Sequence, residues 1–343
     1  MSDVGYVSLY VNTVAIMLCL GVHVLVWKFK MKDIREKRVF LYLLGDIVVM
    51  SLFYILCTFR DDGVIPCNKL GAMFLETGLE MAINIFALIW FLYVDYRMFH
   101  SVGHIKRNAV IIMVPLLLAV LMNIINIPTK FLFDYDMSEM HVVETSFYVF
   151  LDVIRLAYFI VSIIILVIRK RKDERMKFFS IGAFIIPSVF YVFLYYFTPF
   201  PTVSLGLTIA VTLLYAEMVN EKCYQDEKTG FYNMLYLDYL KKRIAENKYD
   251  LRSILMFNVP ESEMEKSSPL ITKQLPEFCD TIRCGKDKLI ILSRVKDKGP
   301  LTMLSEDVKM SLEEAGIAVE SSFKLKKKNE TAESFLEDFM RNA

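Results

Sequence analysis

Glu76, Glu80 and Asn84 lie four residues apart inside an otherwise apolar run, and a second apolar run carries Asp152 and Arg155 three apart. Spacings of four and three put each set on one face of a helix. Ionisable groups inside a bilayer are costly, and they pair with one another or line a polar cavity, so they mark candidate sites. Two chemistries are open. One is an internal salt bridge from Arg155 to Asp152 or Glu80 that ties a bundle together. The other is an outward-opening pocket for a small extracellular ligand, built from Glu76, Glu80, Asn123, Asp152 and Arg155, with Asn126 closing the same side. Three carboxylates against one arginine leave surplus negative charge. Either desolvation protonates one acid, or the ligand is cationic.

The elements that must position these residues are membrane spans. The chain has 343 residues, 55% of them hydrophobic, with positive mean hydropathy, too apolar for an ordinary soluble protein. Runs of about 17–25 apolar residues can cross a bilayer. Seven are read here: 4–27, 39–58, 70–93, 109–126, 147–168, 178–197 and 203–219. The first is too long, and too poor in preceding basic residues, for a cleaved signal peptide. Alternate loops carry fifteen Lys and Arg against three. The basic side is cytoplasmic, so the N-terminus is expected outside and everything after Val219 inside. Trp27, Trp90 and Tyr93 then fall near the inner interface, and Tyr195 and Tyr196 near the outer one. Pro115 and Pro187 are expected to kink spans four and six. Asp46, in span two, is expected to pair locally or to relay a change. Span seven has no lysine, which argues against a retinal Schiff base.

Beyond Val219 the pattern changes. A short stalk leads to an amphipathic helix over 234–245, a strand at 252–259 and a short helix or loop at 269–279. A hairpin over 281–292 turns at Gly285-Lys286-Asp287, and a helix over 301–315 ends at Gly316. A strand at 317–325 and a helix at 331–340 complete a small α/β sandwich. Residues 226–343 carry 20 basic and 21 acidic side chains, so no nucleic-acid partner is expected. The run Lys324, Lys326, Lys327, Lys328 reads as a solvated loop or a contact for anionic lipid. Six cysteines give no disulfide framework, and no CxxC or His pairing suggests a metal. Cys57 and Cys67 either bridge or stay free.

Two motifs in this part, Asp226-Glu-Lys-Thr229-Gly230-Phe-Tyr-Asn233 and Arg283-Cys284-Gly285-Lys286-Asp287-Lys288, resemble the two defining motifs of the GGDEF (diguanylate cyclase) family. The resemblance implies a nucleotide cyclase-type fold over about 226–340. It also implies synthesis of cyclic di-GMP from GTP by two divalent cations held on carboxylates. By that likeness Asn233 occupies the guanine-contacting position, while Lys242 replaces the second guanine contact. Asn258 replaces the first metal carboxylate, and a neutral amide is a poor Mg²⁺ ligand. Pro260 replaces the acid usual two places on. Gly285 and Asp287 are kept, Lys286 replaces the second glycine and adds a Cβ where phosphate approaches, and Lys288 and Leu289 replace Glu and Phe. The regulatory product-binding pair falls on Pro276 and Cys279. The stretch from Asn258 to Arg283 is also too short for the family's full helix pair. The vestigial site is thus Asn233, Gly285, Lys286, Asp287 and Lys288 for nucleotide, and Asp287 and Asn258 for metal. Lys286 and Lys288 could still hold phosphate weakly.

The reading is a membrane all-α seven-helix bundle (1–220) followed by a small cytoplasmic α/β GGDEF-like domain (221–343). It would be a bacterial inner-membrane signalling protein whose output domain is catalytically inactive and acts by conformational relay or partner binding. It would form a homodimer or pair with another GGDEF domain. No cofactor is expected, and Mg only if residual GTP binding exists. The rival readings are an active diguanylate cyclase and a small transporter using the acidic stripe. Against the transporter, no inverted repeat is evident.

Overall fold

The structure is a computed structural model that describes residues 2–28, 34–99, 102–172, 182, 189, 203–246, 249–276, 279–327 and 329–342. Two compact units divide the chain near residue 217. Six helices among the described residues are long and apolar enough to cross a membrane. The expected span over 178–197, with Pro187, Tyr195 and Tyr196, lies outside the described residues.

The first unit begins with α1 (Asp3–Lys28), α2 (Ile34–Asp61), α3 (Lys69–Phe99) and α4 (Val102–Thr129). A hairpin of β1 (Phe133–Asp136) and β2 (His141–Glu144) follows. Then come α5 (Val149–Lys172) and α6 (Val203–Cys223), whose last turns, from Met218, belong to the second unit. α3 is the centre: 72% of its most apolar stretch is buried, against 28% for α1 and α4, and it packs on α2, α4 and α5. Gly78 lets α2 approach, because a Cβ there would stand 2.4 Å from the Phe53 ring.

The hairpin between α4 and α5 is absent from the sequence-based expectation. Asn126 initiates it. Its Oδ1 accepts from the Leu132 amide at 2.7 Å, and its Nδ2 donates to the Phe133 carbonyl at 3.1 Å. β1 then alternates, with Phe133 and Tyr135 buried against Ala72, Ala119, Tyr148 and Leu151.

α4 runs through Pro115, which has no N–H and disturbs the helical ladder. Tyr158 of α5 is inserted there: its hydroxyl accepts from the Leu116 amide at 3.1 Å and donates to the Ile112 carbonyl at 2.6 Å. The expected proline distortion is therefore bridged by a neighbouring helix, as backbone groups in lipid require.

The second unit contains α7 (Met234–Ala245), β3 (Ser253–Asn258), α8 (Met264–Gln274), β4 (Asp280–Cys284), β5 (Lys288–Ser293), α9 (Lys298–Glu314), β6 (Glu320–Leu325) and α10 (Ala332–Asn342). The sheet is antiparallel, in the order β4-β5-β3-β6. β3-α8-β4 and β5-α9-β6 are thus two split βαβ units. β3 is covered on both faces. Leu255, Phe257 and Val259 join the core under α8 and α9, while Ile254 joins that under α7 and α10. α8 begins at Met264 and runs through Pro269, five residues before the expected start. α9 closes at Gly316, whose φ of +77° suits a residue without Cβ.

Tyr158→Phe removes the inserted hydroxyl and leaves Leu116 N–H and Ile112 C=O unpaired inside the bundle. A loss of about 1–3 kcal/mol is expected, read by thermal unfolding in detergent. The same change at exposed Tyr42 should leave stability within error.

Candidate functional site

α3 presents one polar stripe at the end of the first unit that carries the hairpin. At its foot, the Ala72 carbonyl accepts from Arg60 Nη1 at 3.0 Å, and Glu76 Oε2 accepts from Arg60 Nη2 at 3.1 Å. One turn on, Glu80 receives Arg155 Nη2 and, at 2.7 Å, the Tyr148 hydroxyl. A further turn on, Asn84 Oδ1 accepts from Arg155 Nε at 3.2 Å. Asp152 takes Arg155 Nη1 at 3.2 Å. Both guanidinium groups are nearly inaccessible, and burial of such a charge demands this many partners.

This arrangement corrects the charge count made from sequence. Arg155 is not the sole cation: Arg60, one of the three basic residues counted on the poorly charged side together with Lys69 and Lys130, is 3% exposed. Glu76 therefore answers Arg60, and Arg155 joins Glu80 to Asp152. The salt-bridge reading holds for Arg155 with both named partners. Asn123 is brought to the inner face of α4, where its Nδ2 bonds the Ala119 carbonyl. Its buried Oδ1 accepts no hydrogen bond among the described residues. The same is true of the buried Asp46 Oδ2. Cys57 and Cys67 are free thiols.

The hairpin is fastened to the Arg60 cluster. The Tyr135 ring lies 4.3 Å under the Arg60 guanidinium, and its hydroxyl donates to Asp61 at 2.8 Å. Burial, then that bond to Asp61, pushes the Tyr135 hydroxyl up to about 12. Lys69 binds Asp134 at 2.8 Å. Partial burial, and then the Glu80 and Asp152 carboxylates, raise the Glu144 carboxyl at the end of β2. Sequence reading missed Arg60, Tyr135 and Tyr148. Their signals were present: Arg60 lies sixteen residues before Glu76, and Tyr148 two helical turns before Arg155.

In the second unit the two motif segments meet. Asp226 Oδ1 accepts from the Thr229 amide and hydroxyl at 2.9 and 2.8 Å, and the turn passes through Gly230 at φ +70°. Arg283 Nη1 then reaches both Asp226 oxygens, at 3.0 and 3.1 Å. Arg283 also donates to the Gly285 carbonyl at 3.2 Å, so one guanidinium holds the turn and the hairpin tip together. Burial raises the Asp226 carboxyl, but the Thr229 donors and Arg283 outweigh it and hold the group below the ordinary range.

Asn233 caps α7. Its Oδ1 accepts from the Leu235 and Tyr236 amides, and its Nδ2 donates to the Cys223 carbonyl at 2.8 Å. Both ends of that side chain are thus committed to structure. Asn258, the last residue of β3, stands directly across from Lys288, and its buried Oδ1 accepts nothing among the described residues. Cys284 stands across from Lys288 on the other side. Burial pushes the Cys284 thiol up to about 11, although Lys241 and Lys288 pull the other way. Gly285 (φ +83°), Lys286 and Asp287 form the exposed turn, and the Asp287 carbonyl accepts from the Val259 amide at 2.7 Å. Lys242 is exposed on α7. Among the described residues, no three His, Cys, Asp or Glu side chains gather as a metal centre requires.

A carboxylate with a depressed folded value adds stability above the ordinary Asp range, about 4, and loses that increment as pH falls through the folded value. Amide protection factors across 226–233, taken against the intrinsic exchange rate at each pH, should therefore fall below about pH 4 in the unaltered chain. Asp226→Asn should lower them already at neutral pH and flatten their acid dependence.

No protein-family model matches the chain, and no curated protein matches it.

Proposed function

We propose that the chain is a multi-pass membrane signal-transduction protein whose α/β unit is a catalytically degenerate GGDEF-like domain. Its host membrane would be a bacterial inner membrane with the α/β unit in the cytoplasm, as the fifteen-to-three distribution of Lys and Arg favours. The strand order β4-β5-β3-β6, with the motif hairpin formed by β4 and β5, supports the fold part of this reading. The observation that carries the functional part is the cross-strand pair Asn258–Lys288. The resemblance calls for a carboxylate at the first of these positions and a Glu at the second. An amide beside an ammonium leaves Asp287 as the remaining acid, and two divalent cations 3–4 Å apart need more negative charge than that.

Output then comes through conformational relay and partner binding. Asn233 ties the carbonyl of Cys223, the last residue of α6, to the head of α7. A displacement of α6 would so reach the first helix of the domain. In the receiving unit, the stripe joining Glu76, Glu80, Arg60 and Arg155 is the element that an outside ligand would perturb.

The test uses the full chain in lipid nanodiscs with GTP and either Mg²⁺ or Mn²⁺. Cyclic di-GMP should stay at the level of a protein-free control. Turnover that disappears on Asp287→Asn would overturn the proposal in favour of a working cyclase.

A further inference from the structure

The two edges of the four-stranded sheet are treated differently. In antiparallel pairing, alternate residues aim their N–H and C=O groups at one neighbour and then at the other. At the β4 edge the outward groups are used: the Tyr232 amide donates to the Thr281 carbonyl at 2.9 Å, and the Arg283 amide donates to the Tyr232 carbonyl at 2.7 Å. At the other edge, Lys326 N–H bonds the Arg252 carbonyl, and Val259 N–H bonds Asp287 on the far side of β3. With the β3–β6 register, these bonds fix the phase. Glu320, Ser322 and Lys324 face β3 with their backbone groups, while Ser321, Phe323 and Leu325 face outward. Those outward groups have no backbone partner among the described residues. Glu320, Ser321 and Ser322 are exposed, and β6 contains neither Pro nor Gly. An edge of this kind accepts a further strand.

The occupant is argued from charge and register. We propose that β6 pairs antiparallel with β6 of a second copy of this chain, about a two-fold axis at Ser322. That axis sets Ser321 opposite Phe323, both of which aim backbone groups outward, so the new ladder is in phase with the old one. It also sets Glu320 of each copy opposite Lys324 of the other, at non-hydrogen-bonded sites where side chains lie closest. The strand is therefore self-complementary, the condition for an isologous dimer. Lys324 is already oriented by an ion pair with Asp338 on α10, and so stands next to the place where the second Glu320 arrives. Confinement of both copies to one membrane raises their effective concentration, so a short interface suffices. The two sheets would become one of eight strands.

The test is cross-linking of the full chain in membranes. Ser322→Cys, with exposed Cys223 changed to Ser, places two thiols at a non-hydrogen-bonded pair about 4.5 Å apart between Cα atoms, within disulfide reach. Mild oxidation should convert most of the chain to a covalent dimer, at least fivefold more than with a cysteine at exposed Met310 on α9. Adding Glu320→Lys, or separately Lys324→Glu, puts like charges opposite each other and should cut the yield at least fivefold. Mixing differently tagged Glu320→Lys and Lys324→Glu chains restores both pairs, and should return a dimer that carries both tags. Glu320→Lys leaves the Asp338 pair untouched, so its effect does not arise from loss of that contact. Equal yields at positions 322 and 310, no effect of Glu320→Lys, no recovery in the mixture, or an adduct solely with some other protein would each overturn the proposal.

Discussion

A guanidinium can be buried in a helical bundle only when its N–H groups are answered, and in the membrane unit this constraint falls on α3. Arg155 is answered by Glu80, Asn84, Tyr148 and Asp152, and Arg60 by Ala72, Glu76 and Asp61. Residues 72, 76, 80 and 84 recur every four positions, so one face of one helix serves arginines from two others. That explains why α3 is so much more buried than α1 or α4. It also explains the hairpin between α4 and α5: Tyr135 and the nearby Tyr148 bring hydroxyls to Asp61 and Glu80 that solvent would otherwise have to supply.

The α/β unit applies the same chemistry differently. Arg283 clamps the Asp226 turn to the hairpin tip, and Asp280 accepts from the buried Tyr236 and Tyr249 hydroxyls at 3.3 and 2.5 Å. These groups hold the sheet and helices in register. The end of β3 is less well provided, with an unanswered Asn258 oxygen beside Lys288. In the proposed function that deficit marks lost cyclase chemistry, and the proposed β6 pairing gives the unit something to do besides catalysis.

Much of this was legible in the sequence. Met234–Ala245 is legible with its observed ends because Leu235, Leu237, Leu240 and Ile244 recur at helical spacing, whereas the capping role of Asn233 emerges only from the structure. The β4–β5 hairpin was read because Gly285 punctuates two apolar runs. The polar stripe of α3 was visible from its spacing of four. The β1–β2 hairpin was not, since four-residue strands give too few alternations to stand out, although Phe133-Asp134-Tyr135-Asp136 does alternate. Arg60 is misplaced because hydropathy assigns a terminal arginine to the loop, whereas Glu76 and the Ala72 carbonyl on α3, together with Tyr135 of the hairpin, hold it inside. Residues 269–279 read as a short helix or loop, whereas α8 begins at Met264 and carries Pro269 inside it.

The account of the membrane unit rests most directly on the pair Arg155–Glu80, and a double-mutant cycle measures it. Arg155→Met, Glu80→Gln and the double variant would be compared by thermal unfolding in lipid nanodiscs. A coupling of about 2 kcal/mol or more is predicted, with the double variant less impaired than the sum of the singles, because each single change strands a buried partner. Simple additivity within about 0.5 kcal/mol would contradict the account and make the pair incidental to the bundle.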